Sequence, residues 1–250
     1  MRYILAIVFV SLLTISAMAQ KADTILKSDS TLKSKKTDWR NVDLSKRAAD
    51  HFLFQFGMAG WASKPDSIKP VGFSRSFNMY VMLDFPFKSN PQISVAIGPG
   101  IGMDNIFLKQ TKLDVRAGSS SKLLFVRDTL DQIKKYKLTS VYAELPVELR
   151  FAQYPDKMNK GIKGALGLKI GTLVDIHTKS KVTKDTQGTG GYVSKVKDTY
   201  FFNRSRLVAT ARIGYGNISF FGTYTLTEFI KDGFGPVIKP FSAGITISGL

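Results

Sequence analysis

From Ser140 to Phe151 the chain alternates with a period of two. Val141, Ala143, Leu145, Val147, Leu149 and Phe151 are all apolar, while Ser140, Tyr142, Glu144, Pro146, Glu148 and Arg150 are mostly polar or charged. Successive side chains of a strand point to opposite faces, so this stretch is a strand with one oily and one wet face. The question for the rest of the sequence is what each face meets.

The same alternation recurs along the chain. A first strand runs near His51 to Trp61, with Phe52, Phe54, Phe56 and Met58 on one face. A second, from about Phe73 to Phe87, sets Phe77, Met79, Val81, Leu83 and Phe85 against Ser74, Ser76, Asn78, Tyr80, Met82 and Asp84. Lys88-Ser89-Asn90-Pro91 reads as a tight turn into a third strand, with Ile93, Val95, Ile97, Ile101 and Met103 on its oily side. Pro99 and Pro146 fall inside strands, where a missing N–H predicts a bulge. The stretch 140–151 is the fourth strand. A fifth sets Leu166, Leu168, Ile170, Val174 and Ile176 against Gly167, Lys169, Gly171, Asp175 and His177. Strands six and seven meet at Gly216-Asn217, a strong two-residue hairpin signal, and an eighth spans about Ile238 to Ser248.

The N-terminus is of a different kind. Met1-Arg2, an apolar run from Tyr3 to Ile15 and Ala17-Met18-Ala19 make the three-part pattern of a cleaved secretory signal over residues 1–19. The run is shorter than the ~20 apolar residues that a spanning helix needs. Residues 20–50 are polar and lysine-rich and read as a flexible periplasmic lead-in, with Trp39 as a possible anchor for a lumen plug or a partner. No later stretch is long and apolar enough for a membrane helix, so a chain that spans lipid must do so as a closed barrel, here residues 51–250.

Two observations favour a transmembrane barrel over a soluble one. The non-oily faces hold Gly, Ser, Ala and Thr with few charges, which suits the crowded interior of an eight-stranded barrel better than a face in bulk water. Connections also alternate. Those at 62–72, 108–135, 178–202 and 229–236 are the longer ones, the hydrophilic 108–135 stretch with Leu123 to Val126 as a candidate strand extension beyond the membrane, and those at 88–91, 152–162 and 216–217 are mostly shorter, as periplasmic turns are. Aromatic residues fall at strand ends: Trp61, Phe73, Phe107, Tyr136 and Phe202 at one side and Phe52, Phe87, Phe151 and Tyr215 at the other, as in two interfacial girdles. The expected fold is all-β, an eight-stranded antiparallel up-and-down transmembrane β-barrel.

The Tyr142-Ala143-Glu144-Leu145-Pro146-Val147-Glu148-Leu149-Arg150-Phe151 strand resembles the Tyr-Leu-Glu-Ile-Pro-Leu-x-Leu-Lys-Tyr strand of the PorT-type outer-membrane β-barrel family of Bacteroidetes. Gly164-Ala165-Leu166-Gly167-Leu168-Lys169 is similar to the glycine-rich strand that follows it there. The resemblance covers about residues 50–250. It implies a location in the Gram-negative outer membrane, and one namesake branch of the family takes part in type IX protein secretion.

The inward charges are Asp84, Glu144, Glu148, Arg150, Lys169 and Arg212, which read as a structural ion-pair cluster filling the lumen, with Glu144 or Glu148 in reach of Lys169. Asp175 and His177, two apart and placed on the inward face, make a possible rim site where a carboxylate orients a general base. No nucleophile completes it, and no catalytic residue is assigned. The chain has no cysteine, no metal-ligand spacing and no phosphate-cradling glycine loop, so no cofactor and no metal site are expected. The net charge is +17; loss of the leader removes only Arg2 and leaves 35 basic against 19 acidic residues. Such a balance favours anionic partners, and export excludes nucleic acid. Lys109, Lys112, Arg116, Lys122 and Arg127 in one long loop, and Lys179, Lys181, Lys184, Lys195 and Lys197 in another, suit lipopolysaccharide phosphates. Envelope or secretion proteins are the other expected partners, through the lead-in or the loops. Three functions fit: a non-enzymatic structural or interaction protein of the envelope, a component of a type IX-like secretion system, and a lipid-modifying enzyme using His177.

Overall fold

The computed structural model describes residues 51–65, 68, 70, 74–109, 111–115, 122–127, 133–157, 159–182 and 193–249. The leader, the lead-in with Trp39, and Phe73, Arg116, Lys184 and the 118–121 run lie outside them. The regular elements are all strands: β1 (Phe52–Ala62), β2 (Arg75–Val81), β3 (Leu83–Pro86), β4 (Ile93–Ile97), β5 (Gly100–Leu108), β6 (Thr111–Asp114), β7 (Leu124–Arg127), β8 (Ile133–Ala152), β9 (Ile162–Val182), β10 (Val193–Lys197), β11 (Ser205–Tyr215), β12 (Ile218–Thr225) and β13 (Lys239–Ser248).

Antiparallel pairing closes these strands into a ring. β1 pairs with β2, β2 with β5, β5 with β8, β8 with β9, β9 with β11, β11 with β12, β12 with β13, and β13 with β1. β3 and β4 continue the crossings begun by β2 and β5 and pair with each other, β4 also with β8. Eight crossing positions therefore close on one another, as a structure surrounded by hydrocarbon requires, and the sheet ends only in the extensions β3 and β10.

The two faces are sorted as in a membrane barrel. Val81 and Leu145 are 41% and 43% exposed, whereas Ser94 and Glu144 are 1% and 5% exposed. Phe220, at 68% exposure, belongs to a belt of outward Phe, Leu, Ile, Val and Met side chains that runs round the ring. An exposed apolar surface of this extent marks an interface, and a continuous belt on a closed barrel meets lipid. Phe52, Phe87, Phe151 and Tyr215 lie exposed at the short-turn end.

Register within the ring corrects two expectations. Neither proline makes a bulge. Ile97 pairs with Val147 and Gly100 with Glu144, so the ladder runs past Pro99 without an extra residue. Its carbonyl still accepts from Val81 N at 2.9 Å. Pro146 likewise stays in register opposite Lys169. The irregularity is elsewhere: Tyr142 pairs with Leu173 but Val141 with Asp175, so Val174 is an extra residue on β9. Beyond this bulge the faces of β9 exchange parity. Ile176, expected to face outward, is inward and fully buried.

β8 and β9 are 20 and 21 residues long, about twice the ~9–11 residues that cross a bilayer. Their outer halves rise above the membrane, and β10 extends the ladder on β9. The stretches 108–135 and 178–202 therefore contain strands, β6, β7 and β10 and the ends of β8 and β9, where long loops were expected apart from the strand extension near Leu123 to Val126, the place of β7. Inside this extension lies a hydrophobic core that includes Trp61, Ile106, Leu138, Ile176, Phe202 and Phe229. Trp61 packs on Phe229 at 6.1 Å between centroids and Phe202 on Phe229 at 5.0 Å. Trp61, Tyr136 and Phe202 were expected in an outer girdle; they are buried here instead. The parity of Trp61 and Tyr136 decides it, since Trp61 continues the inward row of Leu53 and Gln55, and Tyr136 that of Tyr142 and Glu144.

Candidate functional site

Below the hydrophobic core the lumen is filled by charge. Arg206, from β11, donates to Glu144 Oε1 through Nε at 2.8 Å and to Asp104 Oδ2 through Nη1 at 2.9 Å. Its guanidinium lies 3.9 Å above the Tyr142 ring. Tyr80 donates its hydroxyl to Glu144 Oε2 at 2.5 Å. Lys169 donates to Tyr80 Oη at 2.9 Å and to Gln55 Oε1 at 3.3 Å. Asn78 donates to the same Gln55 oxygen, and Gln55 donates on to Thr246. One connected network thus ties β1, β2, β5, β8, β9, β11 and β13 together across the lumen. Buried ions are tolerated only when they are paired and bonded in this way.

Nearer the short-turn end a second group forms. Glu148 Oε2 accepts from Arg212 Nη2 at 2.6 Å and from Arg150 Nε at 3.1 Å. Arg150 Nη1 stands 3.9 Å from Asp84 Oδ1. The six inward charges read from the sequence therefore divide between two groups: Glu144 and Lys169 above, and Asp84, Glu148, Arg150 and Arg212 below. Lys169 does not touch either glutamate directly; it reaches Glu144 through the Tyr80 hydroxyl. Sequence reading left Arg206 and Asp104 out of the cluster. The signal was present, because Arg206 shares its parity with Val208, Thr210 and Arg212, and Asp104 with Gly100 and Gly102. Gly102 makes the space: a Cβ there would stand 2.6 Å from Arg206 Nη2 and 2.8 Å from Glu144 Oε2.

The rim pair is close but faces the other way. His177 Nδ1 lies 2.7 Å from Asp175 Oδ2. The Val174 bulge turns both residues to the outer face, where Asp175 pairs with Val141 and His177 with Thr139. Asp175 Oδ1 is also held by Lys197 Nζ at 2.6 Å. The Lys197 hydrogen bond, with help from His177 and against partial burial, keeps the Asp175 carboxyl below the usual carboxylate range. Thr139, the hydroxyl directly across from His177, donates to Asn105 Oδ1 at 2.9 Å. Among the described residues no group of His, Asp or Glu side chains is arranged to hold a metal ion.

The basic residues of the long connections are placed largely on strands. Lys179 and Lys181 lie on β9, Lys195 and Lys197 on β10, Lys112 on β6 and Arg127 on β7. Lys109 and Lys122 are exposed beside strand ends.

No curated protein matches the chain in sequence. The model of one family, the outer membrane protein beta-barrel domain, matches residues 30–230. A closed antiparallel ring, an outward apolar belt, an ion-filled lumen and this match lead to one conclusion: the chain belongs to the outer membrane protein beta-barrel domain family and is an outer-membrane protein.

Proposed function

We propose that this barrel is a non-enzymatic, non-conducting protein of the outer membrane, with a structural or interaction role in the cell envelope. The observation that carries this reading is the double closure of the lumen. Ion-paired side chains span it at the level of Glu144 and Arg206, and a hydrophobic core seals it above. An eight-stranded barrel leaves an interior that side chains just fill. The test is reconstitution of the purified chain into planar bilayers. No steady conductance is expected from the native protein, and regular channel openings would overturn the reading.

A catalytic role for His177 finds little support in its surroundings. Its carboxylate partner is shared with Lys197, and the hydroxyl across from it donates to Asn105. His177→Ala is expected to leave the structure of the outer-membrane lipid unchanged. The likeness of the Tyr142–Phe151 strand to PorT-type barrels favours partners among envelope or secretion proteins. For a secretion role, deletion of the gene would stop export of secreted cargo while the lipid stayed intact.

A further inference from the structure

The strands that rise above the hydrocarbon carry a row of like charges. Lys137 on β8 is directly opposite Lys179 on β9, and Lys179 is directly opposite Lys195 on β10. Residues so opposed on one face have Cβ atoms about 4.5–5.5 Å apart, and like charges there repel. The neighbouring row has a different arrangement, for Lys197 is held by Asp175 at 2.6 Å. No described acid stands within ion-pair distance of Lys137, Lys179 or Lys195; Lys137 instead donates to the neutral Asn105 at 2.9 Å. Partial burial first, then Lys179 and Lys195, hold the Lys137 ammonium below the usual lysine range.

The position of the row says what would relieve this repulsion. By parity Lys137 and Lys179 share the outward face of Val141 and Leu145, so the row continues the lipid-facing surface upward. Lys137 is four residues beyond Val141. At ~3.3 Å per residue and a tilt of ~40°, that is roughly 10 Å higher. The headgroup zone is about 5–8 Å thick on each side of the hydrocarbon, and lysine stems bend back toward it.

We propose that Lys137, Lys179 and Lys195 clamp a phosphate group carried by an outer-leaflet lipid headgroup. The proposal rests on the outer-membrane placement of the barrel. A lipid-borne phosphate is chosen over free phosphate because the apolar belt directly beneath holds the lipid's chains, which fixes its headgroup at this height. Free phosphate has no such anchor, and exposed lysines hold it weakly at physiological salt.

The test uses the full chain in detergent, mixed with micelles of phosphorylated lipid A or of the same lipid after enzymatic dephosphorylation. Bound lipid is counted by native mass spectrometry. Lys137→Gln/Lys179→Gln/Lys195→Gln is compared with Lys88→Gln/Lys157→Gln/Lys160→Gln, a charge-matched change on the short-turn side. Heat-modifiable gel mobility reports folding of each. With roughly fivefold per lysine near a charged lipid surface, the row variant is expected to bind about hundredfold more weakly. The control variant is expected to bind as the native chain does, dephosphorylated lipid is expected to lose the same affinity, and millimolar inorganic phosphate is expected not to displace the lipid. If the triple variant fails to fold, Lys179→Gln alone removes the centre of the row, with about a fivefold loss expected. Equal binding by the row variants, equal binding of dephosphorylated lipid, or displacement by inorganic phosphate would each overturn the clamp. None of these results touches the sealed-lumen reading, which conductance alone decides.

Discussion

Arg206 carries more of the lumen than any other single side chain, because both Glu144 and Asp104 depend on its guanidinium. Arg206→Met leaves the buried Glu144 and the part-buried Asp104 without their guanidinium. Removing one partner of a buried pair costs about 3–5 kcal/mol. The variant is therefore expected to unfold at distinctly lower urea in detergent, read by tryptophan fluorescence. Arg206→Met/Glu144→Gln/Asp104→Asn, which removes the charges together, is expected to recover much of the loss. Asp175 offers a test by pH. Its carboxyl is held below the usual value by Lys197, so its contribution is complete above pH ~4 and disappears as pH falls through the depressed value. Hydrogen-exchange protection of β10, corrected for intrinsic rate, is expected to stay level from neutral pH to about 5 and to fall below ~4. In Asp175→Asn protection should be low throughout and lack this acid step. The charges themselves were legible from period two alone. Their partners were not, because which lysine meets which glutamate depends on stagger between strands far apart in sequence.

At the scale of elements, glycine and the bulge decide how the wall fits its contents. Gly102 stands under the Arg206–Glu144 pair, and Gly102→Ala would drive a methyl into both. The side-chain tips are flexible in principle but are held by several bonds, so overpacking of about 1–3 kcal/mol is expected, again read from the urea midpoint. The Val174 bulge sets the faces beyond it. Deleting Val174 would remove only the extra residue, keeping Asp175 opposite Val141 and Ile176 opposite Ser140, so Ile176 stays in the hydrophobic core. The heat-modifiable folded band is expected to persist. The reversed faces of Asp175, Ile176 and His177 were illegible in the sequence for a plain reason. Thr172, Leu173 and Val174 fit either face, and a bulge leaves no residue signature where no glycine is needed. Pro99 and Pro146 offered a more visible marker and misled, since an isolated missing N–H need not shift a ladder that is held on both sides.

The molecule as a whole has two seals of opposite chemistry, ionic in the lumen and apolar above it, inside one lipid-facing belt. They are expected to separate by mutation. Trp61→Ala/Phe229→Ala opens a cavity in the outer core and costs at least about 3–5 kcal/mol there. It is expected to speed proteolysis from the outer side, yet leave bilayers without conductance because the ion pairs below remain. The sequence by itself determined the belt, the closed all-β ring and the small-residue lumen. Those follow from alternation, and alternation is a local property that every strand displays on its own. Tertiary structure decided the outer core, the composition of the two charge groups, the outward placement of Asp175 and His177 and the lysine row across three strands. Each of these depends on register between distant segments. Register is set when all the strands close on one another, since a shift of a single residue exchanges the inside of a strand for its outside.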